Sequence, residues 1–247
     1  MTASTTRTPT IALVTGGNKG IGRQIVAGLA ERGMTVLLAA RDAERGEQAA
    51  AEARAAGGDV HAITLDVTDP ATAAAAAQRI DERFGRLDVL VNNAGITGNA
   101  SGTPSLTSPD AMRSVFDTNV FGVLTVTNAL LPLLRRSAAP RIVNMSSSVG
   151  SMAEMTDPNS PTSELVSATY IPSKTALNAL TVQYAKELGK DGFLVNAACP
   201  GYCATDLNDH RGYRTAAQGA AVAVRLATLG TDGPTGGFFN EDGPLRW

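Results

Sequence analysis

Tyr170 and Lys174 stand four apart in Tyr170-Ile171-Pro172-Ser173-Lys174. On a helix that spacing brings both side chains to one face, within reach of a single ligand. A tyrosine hydroxyl titrates near pH ~10 in water. An ammonium beside it favours the phenolate, so such a pair can give and take back a proton. The run Thr15-Gly16-Gly17-Asn18-Lys19-Gly20-Ile21-Gly22 carries a second kind of chemistry. Glycines let a phosphate lie against the backbone, where a Cβ would clash. Each feature also has an ordinary reading: the pair as a surface contact, the glycines as a tight turn.

The surrounding elements decide what these residues can do. Ile11 to Val14 is an unbroken apolar run, the pattern of a parallel strand covered on both faces. Beyond the glycines, Ile21, Ile25 and Leu29 recur at helical spacing, and Gly33 stops the pattern. A strand, a glycine turn and a helix N-terminus together make an anion site suited to a pyrophosphate. Pro172 is harmless only in the first turn of a helix, which places Thr169 as the N-cap and Tyr170 at the entrance of a helix over 169–188.

Further strands are predicted over 35–40, 60–65, 87–91, 141–145 and 193–198, with a short one over 237–240. Helices are predicted over 42–56, 70–84, 110–134 and 215–229. This alternation predicts an α/β Rossmann fold: a doubly wound, mostly parallel sheet of about seven strands with helices on both faces. One domain over 10–247 follows a polar, frayed tail over 1–9 that lacks the apolar core of a signal peptide. The segments 98–109 and 152–166, rich in Ser, Thr, Pro and Asn, follow strand C-termini and are candidate substrate loops.

Composition narrows the function. Over 247 residues the net charge is −2 and aromatics make up 4%, which argues against a nucleic-acid partner. The longest apolar stretches are strand-length, which predicts no transmembrane helix and no membrane partner. Cys199 and Cys203 are four apart, and His61 and His210 are distant in sequence, so neither a disulfide framework nor a metal site is expected. Reduced thiols point to the cytoplasm.

Three further motifs follow predicted strands: Asn92-Asn93-Ala94-Gly95, Asn144-Met145-Ser146-Ser147-Ser148 and Pro200-Gly201. Together with T-G-x-x-x-G-x-G and Y-x-x-x-K, in this order and over essentially the whole chain, they resemble the short-chain dehydrogenase/reductase family. The glycine run, Ala40-Arg41-Asp42 and the closing Gly236-Gly237-Phe238-Phe239 region ending in Trp247 are similar to its carbonyl-reductase branch.

The resemblance implies reversible hydride transfer between a nicotinamide cofactor and a small-molecule carbonyl or alcohol, without a metal. It assigns Tyr170 as catalytic acid/base and Lys174 as the residue that binds the nicotinamide ribose and lowers the tyrosine pKa. It assigns Ser147 to the substrate oxygen, with Ser146 and Ser148 one position away, and Asn119 to a water of the proton relay. Gly16, Gly20 and Gly22, with Asn18, Lys19 and Ile21, would carry the pyrophosphate turn. Asp66 and Val67 would lie beside the adenine, although Asp66 has an equal reading as a cap of the next segment. Asn93, Ala94, Gly95, Pro200, Gly201 and Thr205 complete the implied cofactor surface.

At the end of the second strand, Ala40 lacks the carboxylate that would hold the ribose hydroxyls of NADH. Arg41 can offer its planar fork to a 2′-phosphate, and Lys19 can approach from the other side. NADPH/NADP is therefore the expected cofactor, with NADH possible if Asp42 neutralises Arg41. Two alternatives stay open: an NAD-dependent alcohol or hydroxysteroid dehydrogenase working oxidatively, and a non-catalytic nicotinamide-sensing regulator. Between Ser147 and Tyr170 lie 22 residues, more than in compact members of the family. That segment either covers the active site or obstructs a subunit contact, so a homo-oligomer is left open.

Overall fold

A computed structural model of the chain describes residues 9–98 and 102–247. The tail over 1–8 and the tip of the first candidate loop, 99–101, lie outside the described residues. The strands are β1 (Ile11–Thr15), β2 (Thr35–Ala40), β3 (Val60–Thr64), β4 (Val89–Asn92), β5 (Arg141–Met145), β6 (Leu194–Ala198) and β7 (Phe238–Phe239). They form one seven-stranded sheet in the order β3-β2-β1-β4-β5-β6-β7, and every pairing is parallel. The helices between them are α1 (Gly20–Ala30), α2 (Ala43–Ala55), α3 (Pro70–Phe84), α4 (Pro109–Phe116), α5 (Gly122–Leu134), α6 (Met152–Met155), α7 (Tyr170–Leu188) and α8 (Ala216–Ala227).

Successive strand residues point to opposite faces, and each face has its own core. Ala12, Val14, Val36, Leu38, Val91 and Val143 pack with Ile25 and Leu29 of α1 and Ala223 of α8. Leu13, Leu37, Leu90, Ile142 and Val195 pack on the other side with Ile80 of α3, Leu130 of α5 and Leu188 of α7. Strands buried on both faces are apolar wherever a side chain is not hydrogen-bonded, which is why they appear in the sequence as runs rather than alternations.

Two helix starts are fixed by aspartates. Asp42 Oδ1 accepts the Arg45 N–H at 3.0 Å to cap α2, and Asp69 Oδ1 accepts the Ala71 N–H at 2.8 Å to cap α3. The expected cap of α7 is different. Thr169 does precede Tyr170, but its hydroxyl donates to the Thr97 carbonyl at 3.2 Å, and the Tyr170 N–H is taken by Ser167 Oγ at 3.2 Å.

The single helix expected over 110–134 is continuous but not uniform, because Asp117–Phe121 winds as a π-helical turn between α4 and α5. Together these pieces span Pro109–Leu134, 26 residues that include an 18-residue stretch of mean hydropathy 1.2, long and apolar enough to cross a membrane. That corrects the reading of apolar stretches as strand-length only, because sequence runs broken by single polar residues become one helix. Here its buried residues Val126, Leu130 and Leu134 lie in the core under the sheet.

Strand order reverses between β1 and β4, since β1 pairs with β2 on one side and β4 on the other while the chain visits β2 and β3 first. The crevice beyond the C-terminal ends of the strands at such a switch point is where an open α/β sheet binds ligands.

Candidate active site

A cleft of about 1020 Å³ occupies that edge. Its lining includes Gly16, Asn18, Lys19, Gly20, Ile21 and Gly22 from the glycine turn. It also includes Arg41, Asp66, Val67, Asn93, Ala94 and Gly95 from the ends of β2, β3 and β4. Tyr170, Lys174, Pro200 and Thr205 close it from the other side. Among the residues expected from sequence, Ser147, Asn119 and Gly201 stand outside the lining.

The glycine turn is a cradle of bare backbone. Gly16 has φ +61°, in the left-handed region, and a Cβ there would lie 3.1 Å from the Ala94 Cα. A Cβ on Gly22 would run into the Gly16 carbonyl oxygen. The turn is pinned from β4: Thr15 Oγ1 accepts the N–H groups of Asn93 (2.9 Å) and Ala94 (3.0 Å), and Asn93 Nδ2 donates to the Thr15 carbonyl at 2.8 Å. At the start of α1, Lys19 makes no side-chain cap and the first turn holds no acidic residue, so the helix supplies no anion of its own to its N-terminal N–H groups. A cradle that a Cβ would fill, at the head of a long cleft, fits the phosphates of a dinucleotide.

At the opposite end, Arg41 is exposed and Ala40 buried. Asp42 is occupied with the α2 cap and lies 3.5 Å from Arg45. Arg45 lines the cleft beside Arg41, a second guanidinium that the sequence reading missed. The signal was present, since Arg45 lies in the first turn of the helix that begins two residues after Arg41, but a charged residue at a helix start ordinarily reads as solvated. Asp66 does not cap a helix. Its Oδ1 accepts the Thr68 N–H at 2.9 Å and hydroxyl at 2.7 Å, which hold its carboxyl below the usual carboxylate range.

Around Tyr170 the polar groups are almost all committed. Lys174 is 4% exposed, and its Nζ donates to the Met145 carbonyl at 2.8 Å and lies 5.5 Å from the centre of the Tyr170 ring. Burial pulls the Lys174 ammonium down to about 8. Burial also pushes the Tyr170 phenol up, with the Cys199 thiol adding to the rise and a hydrogen bond from Ser147 opposing it. The expected lowering of the tyrosine by its lysine is thus corrected for the protein alone: desolvation of the phenolate dominates, and the ammonium is turned toward a carbonyl.

The three adjacent serines separate clearly. Ser146 Oγ is buried and donates to Asn178 Oδ1 at 2.5 Å, and the Ser148 N–H donates to Cys199 Sγ at 3.2 Å. Ser147 is the one whose hydroxyl acts on Tyr170, opposing the rise of its pKa.

Asn119 sits fully buried in the π-helical turn. Its Oδ1 accepts the Ile96 N–H at 2.9 Å, and its Nδ2 donates to the Ile96 carbonyl (2.9 Å) and to Ser173 Oγ (3.0 Å). The side chain therefore joins the β4 loop to α7, one residue from Lys174. Below this layer Asn92 Nδ2 donates to Asn144 Oδ1 at 2.9 Å, and Asn144 Nδ2 donates to Thr181 Oγ1 at 2.8 Å, tying the ends of β4 and β5 to α7.

The sequence model of the family described as short chain dehydrogenase matches residues 10–215. The chain is 32% identical to a (+)-neomenthol dehydrogenase of Capsicum annuum, with 96% of this chain and 97% of that protein covered. It is 35% identical to a salutaridine reductase of Papaver bracteatum, with 93% of each covered. Among solved structures, an NADPH-bound carbonyl reductase from chicken fatty liver superposes with a TM-score of 0.85 at 28% identity, covering 98% of this chain and 100% of that one.

Proposed function

Since the chain belongs to the short-chain dehydrogenase family, an oxidoreductase family in which the proteins similar to this chain include reductases, we propose that it is an NADPH-dependent reductase of ketones or aldehydes in which Tyr170 is the proton donor. The observation that carries this reading is the convergence of Tyr170, Lys174 and the glycine cradle on one cleft. When bound there, a reduced nicotinamide supplies hydride to a carbonyl carbon.

Gly16, Gly20 and Gly22 receive the phosphates, and Arg41 with Arg45 and Lys19 faces the 2′-phosphate. Tyr170, its phenol held protonated by burial, donates its proton to the carbonyl oxygen as negative charge develops there. Ser147 orients that oxygen through its own hydroxyl. These bonds are worth more to a developing alkoxide than to a neutral ketone, and that difference lowers the barrier. Lys174 binds the ribose and restores the charge balance beside the tyrosine. Asn119 holds the β4 loop and α7 in register, and its place in the proton relay is part of the same reading.

The test is consumption of NADPH and of NADH with activated ketones, ketoesters, quinones and hydroxysteroids, and the reverse reaction with the corresponding alcohols. Carbonyl-dependent oxidation of NADPH, faster than that of NADH, is expected. Turnover confined to alcohol oxidation with NAD overturns the reading in favour of an oxidative dehydrogenase. No turnover with any carbonyl despite tight cofactor binding favours a sensor.

A further inference from the structure

The loop between β6 and α8 is a closed, self-braced unit. The Ala204 N–H donates to the Arg214 carbonyl at 2.8 Å, and the Arg214 N–H donates to the Tyr202 carbonyl at 3.1 Å, pinching its two ends together. Thr205 and Asn208 form a reciprocal cap within it. Asp209 and His210 follow in the left-handed region, with φ of 52° and 58°. The Arg214 guanidinium anchors the base of the loop to Glu241.

From this braced loop Asp206 reaches the glycine turn. Its Oδ2 lies 2.8 Å from Lys19 Nζ, and its Oδ1 lies 3.1 Å from His210 Nε2. Both Lys19 and Asp206 line the cleft. Lys19 hangs on a flexible four-carbon stem, whereas Asp206 is fixed by its loop. Lys19 is therefore the partner that moves when another anion arrives.

We propose that Asp206 is a specificity-determining residue that competes with the 2′-phosphate of the dinucleotide for the Lys19 ammonium and so limits the preference for NADPH over NADH. This rests on the reading that Lys19 and Arg41 face that phosphate. NADH offers Lys19 no charge at the 2′ position, so the ion pair survives its binding. NADPH binds Lys19 only by breaking the pair. Lys19 and Asp206 are both more than half exposed. Exposed pairs of this kind shift equilibria by only about two- to fivefold, and the effect on the cofactor ratio has that size.

Dissociation constants for NADPH and NADH are measured by calorimetry on the wild type, Asp206→Asn, Lys19→Met, the double variant and Arg41→Ala, all at one fixed pH and ionic strength. In Asp206→Asn the ratio Kd(NADH)/Kd(NADPH) is expected to rise about two- to fivefold. General repulsion between the carboxylate and the pyrophosphate cancels in that ratio. Lys19→Met should lower the ratio, and adding Asp206→Asn to it should change nothing further. An unchanged or lowered ratio in Asp206→Asn, while Lys19→Met and Arg41→Ala both lower it, overturns the competition and leaves the phosphate reading standing. A ratio indifferent to all three single substitutions overturns both.

Discussion

Lys174 Nζ donates to the main-chain carbonyl of Met145 rather than to the hydroxyl of Tyr170. The ammonium is thereby held at the end of β5, beside Gly95, where a Cβ would come within 3.6 Å of it. Because burial has drawn its pKa down to about 8, Lys174 is charged at neutral pH and loses its proton in mildly alkaline solution. The parameter kcat/KM for the reduced dinucleotide reports groups of the free protein. It should be flat below pH about 8 and fall above it, since the charged lysine is the form that binds ribose and supports Tyr170. Lys174→Met should remove this inflection along with most of the activity. A profile that stays flat well into the alkaline range contradicts the assignment.

Cofactor choice is expected to lie with the arginines at the end of β2. A charge-assisted hydrogen bond contributes about 1.5–3 kcal/mol, and about 1.4 kcal/mol is tenfold in affinity. Arg41→Ala should thus lower kcat/KM with NADPH by at least about tenfold and leave NADH nearly unaffected. Arg45→Ala should act in the same direction with a smaller effect, because Arg45 is shared with Asp42. Steady-state kinetics with both cofactors decides this, and a variant no worse with NADPH would sink it.

The amide ladder is structural, and removing one rung should be felt in stability. Asn144→Ala strips an acceptor from Asn92 and a donor from Thr181, both buried. Asn92 Nδ2 keeps its bond to Thr127 Oγ1 and Thr181 Oγ1 its bond to the Leu177 carbonyl, so each loses one of two bonds, worth about 0.5–1.5 kcal/mol apiece. A correspondingly lower urea midpoint is expected, and a shift worth less than about 1 kcal/mol would mean that water or a rotamer change restores the bonds.

The segment over 152–166 reaches few core positions: Met152, Leu165 and Val166 are exposed. It is held by Arg246, which pairs with Glu154 at 3.0 Å and Asp157 at 3.1 Å, and by the Ala153 N–H, which donates to the Trp247 carbonyl. Shortening it should alter preference among ketones far more than the melting temperature. A large drop in Tm with specificity intact makes it structural instead.

Much of this architecture is legible in the sequence because double burial makes the middle of a strand such as β1 or β5 an apolar run, Ile11–Val14 in one and Ile142–Val143 in the other. The strand ends are marked by Asn92 and Asn144, amides that must be paired to be buried there. The π-helical turn at Asn119 has no local sequence signal, because it is imposed by the bonds of that side chain to Ile96 and Ser173. The choice among Ser146, Ser147 and Ser148 is likewise unreadable from spacing, since what separates them is Asn178 on one side and Tyr170 on the other. The upward shift of Tyr170 depends on burial, which a motif does not report. Thr97 and Arg113, which also line the cleft, reach it from a loop and from α4 and fall in no motif.

The central claim is that the Tyr170 hydroxyl delivers the proton, and Tyr170→Phe tests it most directly because the ring and its packing are retained. Turnover of a ketone by the variant is compared with wild type alongside the Kd for NADPH. Loss of nearly all turnover with Kd unchanged within about twofold is the predicted result. Retention of a sizeable share of wild-type turnover, on the order of a tenth or more against the hundredfold or greater loss expected when a general acid is removed, contradicts the account.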